Sequence, residues 1–343
     1  MAATLEAVLA VPSSEGKGRR TIAMNRRRIR FLSLFVLTLL AQACVATEGP
    51  GPEPDNPPAD TIDLLPEKVP CTLLTGIPYA SDGNPCHLMD VYLPDDSGTF
   101  PALLFVHGGG WTGGDRTEFQ GMAEFYAKRG IAGFTIDYRI AAPGSPSWPD
   151  VILDVITAAE HIREHAAAYR VDPGRMGAVG FSAGGHLASL LGTLSGSGPF
   201  PEGLFPADIS SSPGPLRLVV DYAGPTDLEF IALQGATSPR YAKILALIET
   251  FLGSDYASDP TTWREASPAS YVSPGDPVFV IAHGAQDDVV PVATSQTFAS
   301  MLQDTGVETH LVILEQAGHG FNEQQNMAVR HVLEPIMARL LFR

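Results

Sequence analysis

Residues 180 to 186 read GFSAGGH, which places Ser182 among three glycines directly after an apolar run. Glycine has no Cβ and permits a very sharp strand-to-helix turn. The G-x-S-x-G spacing is typical of a nucleophile elbow, in which a serine oxygen is exposed at the end of a strand. An ordinary glycine-rich connection is the alternative, because short patterns recur by chance. The elbow therefore needs catalytic partners elsewhere in the chain.

Two later stretches supply candidate partners for Ser182. His319, in AGHGF, is the candidate base, since imidazole titrates near neutral pH and the flanking glycines let its loop turn back. Asp287, in HGAQDDVVP, is the candidate acceptor that orients the base, with Asp288 as an open alternative. Together these residues predict nucleophilic attack on a carbonyl carbon by Ser182.

The stretch HGGGW at 107–111 predicts an oxyanion hole. Exposed glycine amides after a strand are suitable donors to the negative oxygen that develops on the carbonyl, and losing one such donor costs ~3 kcal/mol of barrier. We expect the amides of Gly109, Gly110 and Ala183 to form this site. Structural roles are expected for three other histidines: His107, His186 and His283.

The elements around these motifs predict an α/β fold. LLTGIPYA and HLMDVYLP read as an antiparallel hairpin, and strand and helix signals then alternate. This order predicts a mostly parallel central sheet with helices on both faces. The stretches HGGGW, HGAQDDVVP and AGHGF each follow a predicted strand. In such sheets, functional sites lie at the carboxyl ends of the strands, so these positions fit a catalytic role. One segment, 236–253, is long enough to form a helix as a small partial cap.

The N-terminal part of the chain reads as an export signal and a linker. Arginines after Met24 precede an apolar run that is too short for a membrane span of about 20 residues. We expect 1–43 to be an upstream extension and signal, 44–70 an acidic, Pro-rich linker, and 71–343 the catalytic domain. Cleavage before Cys44 would allow a lipid anchor there, and ordinary cleavage is the alternative. The sequence thus predicts an exported protein, whether extracellular, periplasmic or anchored at the envelope.

The net charge of the chain excludes one class of binding partner. The chain has 22 Lys and Arg against 38 Asp and Glu, and seven of the cations stand before Cys44. So acidic a surface repels phosphate backbones, which argues against nucleic-acid binding.

The two cysteines of the predicted catalytic domain could be paired. Export would permit a disulfide between Cys71 and Cys86. Simple hairpin pairing separates the two beyond the ~5.5 Å that a bridge needs, so both states stay open.

The combined motifs resemble the α/β-hydrolase carboxylesterases, in particular the bacterial feruloyl and acetyl-xylan esterase-like branch, which is related to the hormone-sensitive-lipase group. They include HGGGW, GFSAGGHLA, YAGPTDL, HGAQDDVVP and GHGF, and the resemblance covers 71–343. It implies a triad at Ser182, Asp287 and His319, glycine amides at the oxyanion hole, no cofactor, and a small-molecule or polysaccharide ester as substrate. Hormone-sensitive-lipase enzymes usually have Asp before the nucleophile, whereas Phe181 stands here.

Other functions remain as alternatives. A serine peptidase or amidase, or a lipase for longer acyl chains, would use the same triad. HIREH at 161–165 fits an inverted zinc-protease signature, although no third ligand is identifiable. A binding protein on an inactive hydrolase scaffold is disfavoured by the complete triad.

Overall fold

The computed structural model describes residues 65, 69–196, 214–235 and 238–342. The predicted signal, Cys44 and most of the predicted linker lie outside these residues, so the expectations about them stay predictions. Among the described residues, no helix is long and apolar enough to cross a membrane.

A single eight-stranded sheet forms the centre of the described part. Its order is β1-β2-β4-β3-β5-β6-β7-β8. β1 pairs antiparallel with β2, and β2 with β4, whereas the other neighbours are parallel. This confirms the predicted α/β fold with an N-terminal hairpin. The strands are Cys71–Pro78 (β1), Leu88–Pro94 (β2), Phe100–Val106 (β3), Ala132–Ile136 (β4), Val171–Phe181 (β5), Leu218–Tyr222 (β6), Val278–Gly284 (β7) and Thr309–Leu314 (β8).

Helices cover both faces of the sheet because alternate strand residues point to opposite sides. In β3, Leu104 and Val106 join one core cluster, and Leu103 and Phe105 join the other. α2, α4 and α8 pack on the first face, and α1 and α9 on the second. The helices are Gln120–Ala127 (α1), Asp150–Glu164 (α2), Ala166–Tyr169 (α3), Ala183–Gly196 (α4), Leu228–Gly235 (α5), Ala242–Leu252 (α6), Pro260–Glu265 (α7), Val292–Asp304 (α8) and Glu323–Leu341 (α9).

Several helical regions differ from the sequence expectation, among them α1 and the segment 236–253; α5 and α7 were likewise not predicted. The pattern did not predict α1, which is only 8 residues long and has Gly121 in its first turn, where glycine weakens the helix signal. The segment 236–253 contains a 3-10 turn, Pro239–Tyr241, followed by α6, so its helix starts later than the pattern indicates.

The hairpin separates the two cysteines and explains why they are not bridged. Cys71 lies opposite Pro94 at one end of the β1/β2 pair, whereas Cys86 lies in the turn at the other end. The structure contains no disulfide between them. This is the outcome that simple hairpin pairing favours.

Candidate active site

Ser182 lies at the sharp turn between β5 and α4. Its φ of +55° is in the left-handed region, which residues other than glycine rarely adopt. Its amide donates to the carbonyl of Tyr222 at the end of β6, over 2.8 Å. A Cβ on Gly180 would lie 2.0 Å from the carbonyl oxygen of Gly184. The glycines of the pattern therefore let strand and helix approach closely enough to hold the serine in this conformation.

Three strand ends bring Ser182, His319 and Asp287 into contact. His319 Nε2 lies 2.9 Å from Ser182 Oγ, and His319 Nδ1 lies 2.7 Å from Asp287 Oδ2. When Nδ1 donates its proton to the carboxylate, Nε2 is left to accept the hydroxyl proton. Asp288, the alternative acceptor, is exposed. The arrangement can therefore move a proton from the serine to the histidine.

Asp287 is a buried carboxylate with donors on both oxygens. Its Oδ1 accepts hydrogen bonds from the amides of Val289 and Val290, at 2.8 and 2.9 Å. Its Oδ2 lies within 2.7 Å of His319 Nδ1 and 3.1 Å of His283 Nε2. Burial alone would raise the pKa of Asp287, but the hydrogen bonds and charges of His283 and His319 hold that pKa well below its usual range. The carboxylate thus stays ionised.

His283 belongs to the site, although the sequence indicates only a structural role for it. Its ring is fully buried, and Nδ1 lies 2.7 Å from Ser295 Oγ. Nε2 faces two acceptors, the Val290 carbonyl and Asp287 Oδ2, so the proton resides on Nε2 and the Ser295 hydroxyl donates to Nδ1. The four-residue spacing of His283 and Asp287 was the available sequence signal for this contact.

The loop after β3 lies against the nucleophile elbow. A Cβ on Gly184 would meet the Val106 carbonyl oxygen at 2.0 Å, so α4 packs directly on the end of β3. Gly109 and Gly110 have φ values of +104° and +60°, which favour glycine. Within the described part of the chain, no group accepts a hydrogen bond from the amides of Gly109, Gly110 or Ala183. The role of these three amides at an oxyanion hole stays a prediction.

Two other buried histidines have contacts that fix loops. His107 Nδ1 lies 2.7 Å from the carbonyl of the next residue, and its ring stacks on Tyr138 at 4.0 Å. His186 accepts from the Trp111 indole at 3.2 Å and donates from Nε2 to the Ala266 carbonyl at 2.7 Å. Burial lowers the pKa of His186 to about 4, so its ring is neutral. His186 thereby connects the loop after β3 to the elbow helix.

The HIREH segment has contacts that differ from those of a zinc site. The rings of His161 and His165 stack at 4.1 Å. His161 Nε2 lies 3.1 Å from the Tyr169 hydroxyl, and His165 Nδ1 donates to the His161 carbonyl. No group of three or more potential ligands is arranged around a metal position among the described residues. These contacts give the zinc alternative no support.

A small cap lies over the loop after β3. On α6, Leu247 lies so close that a Cβ on Gly110 would meet its Cδ1 at 2.9 Å, and Phe251 stacks on Trp111 at 4.6 Å. Arg240, just before α6, donates to the Asp287 carbonyl at 2.7 Å. The predicted partial cap is therefore present and contacts both the loop after β3 and the loop after β7.

A sequence model of the BD-FAE family matches residues 89–302. This chain belongs to the BD-FAE family. The match runs from β2 into α8 and includes Ser182 and Asp287, whereas His319 lies beyond its end.

Individual relatives of this BD-FAE chain are esterases by name. It is 32% identical over 245 residues to Esterase LipC of Mycobacterium tuberculosis, covering 70% of this chain and 58% of the relative. It is 28% identical over 237 residues to an acetylxylan esterase of Xylanibacter ruminicola, covering 68% of this chain and 43% of that relative. The chain spans about half the length of the curated relatives it matches.

A solved structure described as a truncated carbohydrate esterase from gut microbiota has the same fold. It superposes with a TM-score of 0.64 at 27% identity, over 78% of this BD-FAE chain and 99% of that chain. The resemblance to α/β-hydrolase carboxylesterases predicted from the motifs is thus confirmed.

Proposed function

We propose that this chain is a carboxylic ester hydrolase that acts on short-chain acyl esters through Ser182, His319 and Asp287. The observation that carries the proposal is the continuous hydrogen-bonded connection of these three side chains, at 2.9 and 2.7 Å. Membership of the BD-FAE family, whose relatives here are named esterases, supports the same reaction class.

In the first half of the reaction, Ser182 becomes acylated. His319 Nε2 takes the hydroxyl proton as Ser182 Oγ forms a bond to the ester carbonyl carbon. The carbonyl oxygen becomes negative and is stabilised by the amides of Gly109, Gly110 and Ala183. The bond from carbon to the alcohol oxygen then breaks, and the imidazolium returns its proton to the departing oxygen. Asp287, held ionised, stabilises the imidazolium while it exists.

In the second half, water replaces the alcohol. His319 removes a proton from the water as its oxygen attacks the acyl carbon, and the same three amides stabilise the second negative intermediate. The bond to Ser182 Oγ breaks, and the proton on Nε2 passes back to the serine. The products are a carboxylic acid and the regenerated hydroxyl.

The cap supports a preference for short acyl groups. α6 brings Leu247 into contact with Gly110 and so restricts the space beside the proposed oxyanion hole. A long acyl chain needs a deep apolar tunnel instead. The names of the acetylxylan esterase and the carbohydrate esterase among the similar proteins support acetylated carbohydrates as the substrate class.

A series of p-nitrophenyl esters tests this function. We expect the highest kcat/KM from acetate to butyrate and a steep decline by octanoate, because the acyl group must fit beneath α6. A maximum at dodecanoate would instead indicate a lipase. An aminoacyl anilide assayed in parallel distinguishes a peptidase, for which the anilide would be the better substrate.

The same assay with Ser182→Ala tests the nucleophile. We expect kcat to fall at least ~10⁴-fold, because no other group can form the acyl-enzyme. Ser195→Ala is the matched control, since Ser195 lies on the same helix and its hydroxyl donates to the Gly192 carbonyl. A Ser182→Ala enzyme as active as this control would exclude Ser182 as the nucleophile.

A further inference from the structure

An aromatic cleft of about 430 Å³ opens beside the candidate active site. Four aromatic side chains line it, Phe119, Phe181, Tyr222 and Phe321, and its polar lining residues include Glu118 and Asn326. Phe181 and Phe321 are half-buried, whereas Phe119 and Tyr222 are buried. Phe181 and Phe321 therefore present most of the accessible aromatic surface. The catalytic steps above do not use this cleft.

The cleft shares a wall with the catalytic histidine. The ring of Phe181 lies 5.1 Å from the ring of His319, centroid to centroid. Gly320 and Phe321, which also line the cleft, directly follow His319 in the chain. The cleft therefore lies directly beside the ring of His319.

The geometry of the proposed reaction places the alcohol part of the ester beside His319. The tetrahedral carbon carries four substituents: Ser182 Oγ, the negative oxygen, the leaving oxygen and the acyl group. The negative oxygen points to the amides after β3, and the leaving oxygen must reach His319 Nε2 to be protonated. The alcohol part of the ester thus extends from His319, where the cleft begins.

We propose that the cleft binds the pyranose ring of the alcohol part of a sugar ester. This inference rests on the proposed esterase function and identifies the alcohol group that the active site accepts. The apolar C–H face of a pyranose can pack against the rings of Phe181 and Phe321 and remove them from water. Glu118 and Asn326 supply polar atoms for the hydroxyl groups at the ring edge.

Glu118 also connects the cleft to the loop after β3. Its Oε2 accepts a hydrogen bond from the Gly108 amide at 2.7 Å, and its side chain is exposed. A carboxylate can accept further hydrogen bonds through its other oxygen. Because a change at Glu118 would also disturb the loop that bears Gly109, the test uses other positions.

Two variants change the cleft in opposite ways. Phe321→Ala removes an aromatic wall. Gly121→Leu adds a side chain at a cleft-lining position where a Cβ meets no atom within 4 Å, and leucine is the better helix former in α1. Met327→Ala is the control, because Met327 is 48% exposed on α9 and lies outside the lining.

The readout is the ratio of kcat/KM for an acetylated methyl xylopyranoside to that for ethyl acetate. Both esters deliver the same acyl group, and ethanol is too small to fill the cleft. We expect the ratio to fall about tenfold or more in Phe321→Ala and in Gly121→Leu, and to stay at the wild-type value in Met327→Ala. Thermal unfolding of each variant verifies that it is folded.

Three outcomes would overturn the proposal in distinguishable ways. An unchanged ratio in both cleft variants would show that the sugar ring binds elsewhere, while ester hydrolysis stands. If kcat/KM of the two cleft variants fell on methyl ferulate but not on methyl acetate, the cleft would bind an aromatic acyl group instead. Failure of the wild-type chain to hydrolyse either acetate ester would refute the proposed function itself.

Discussion

Two buried aspartates lie near the carboxyl ends of neighbouring strands and have opposite pKa shifts. Asp221, in β6, is fully buried, and its carboxylate accepts from the Gly224 amide at 2.8 Å and the Ser189 hydroxyl at 3.2 Å. Burial raises the pKa of Asp221 to about 6. Asp287, after β7, is equally buried but contacts two histidines and two amides, and its pKa is well below the usual range.

The difference shows that partners, rather than burial, decide what a carboxylate at this edge can do. Asp221 has mainly neutral donors and lies beneath the elbow, where a Cβ on Gly185 would meet its Oδ1 at 2.3 Å. Asp287 has the ring of His319 as a partner and can balance a positive charge that develops there. We therefore interpret Asp221 as a packing residue of the elbow and Asp287 as the orienting residue of the triad.

The largest expected effect in this comparison comes from replacing Asp287, and not Asp221, with asparagine. Asp287→Asn removes the negative charge and favours the wrong His319 tautomer, so we expect kcat/KM for p-nitrophenyl acetate to fall about 10³- to 10⁴-fold. In Asp221→Asn the amide oxygen can still accept from Gly224, and the Ser189 hydroxyl can rotate to accept from the new amide group. We expect this variant to stay within about threefold of wild type, because asparagine keeps the contacts with Gly224 and Ser189 and Asp221 has no contact with Ser182 or His319 among those described.

Asp288→Asn serves as a second control because Asp288 is exposed and adjacent to Asp287. If Asp288→Asn were the more damaging of the two changes in this loop, the assignment of Asp287 would be wrong. If Asp221→Asn were as damaging as Asp287→Asn, the contrast between the two carboxylates would not reflect catalysis.

A smaller effect should follow from changing His283, whose buried Nε2 lies 3.1 Å from Asp287 Oδ2. His283→Leu removes one donor to the carboxylate, and a hydrogen bond to a charged group contributes about 1.5–3 kcal/mol, so we expect kcat/KM to fall about 10- to 100-fold. His283→Gln can return an N–H donor near the position of Nε2 and should restore part of the rate. Equal losses in both variants at matched thermal midpoints would mean that His283 only fills space.

The smallest expected effect concerns stability rather than rate. The folded-state pKa of Asp221, about 6, lies above the ordinary value of 3.8 for an aspartate, so the folded protein binds this proton more tightly. Its contribution to stability is present at low pH and is lost as pH rises through 6. Asp221→Asn has no carboxyl to titrate and so does not lose this stability. The unfolding free energy of the variant minus that of wild type should therefore be about 1 kcal/mol higher at pH 7 than at pH 5.

Urea unfolding of both proteins at the two pH values measures this difference. A difference that stays constant with pH would show that Asp221 titrates normally in the folded protein. The comparison between the two aspartates would then rest on catalysis alone.

Local sequence determined the parts of the site that depend on backbone conformation. The glycines at 180 and 184 indicate a sharp turn at Ser182, because a side chain at either position would collide with nearby backbone. The alternation of strands and helices predicts the mostly parallel sheet, and parallel strands bring the loops that bear Asp287 and His319 to one edge. The order of the motifs was therefore enough to place the three side chains near one another.

Only the tertiary structure decided properties that depend on residues far apart in the chain. Asp287 and Asp288 are adjacent and chemically identical, and burial against His319 distinguishes them. The opposite pKa shifts of Asp221 and Asp287 arise from partners that packing supplies. The aromatic cleft combines residues from the 3-10 turn Arg116–Phe119, α1, β5, β6, the loop after β8 and α9, and α1 itself has a weak helix signal. Sequence patterns report local backbone preference, whereas charge, burial and cavity shape arise from contacts that form only when the sheet is assembled.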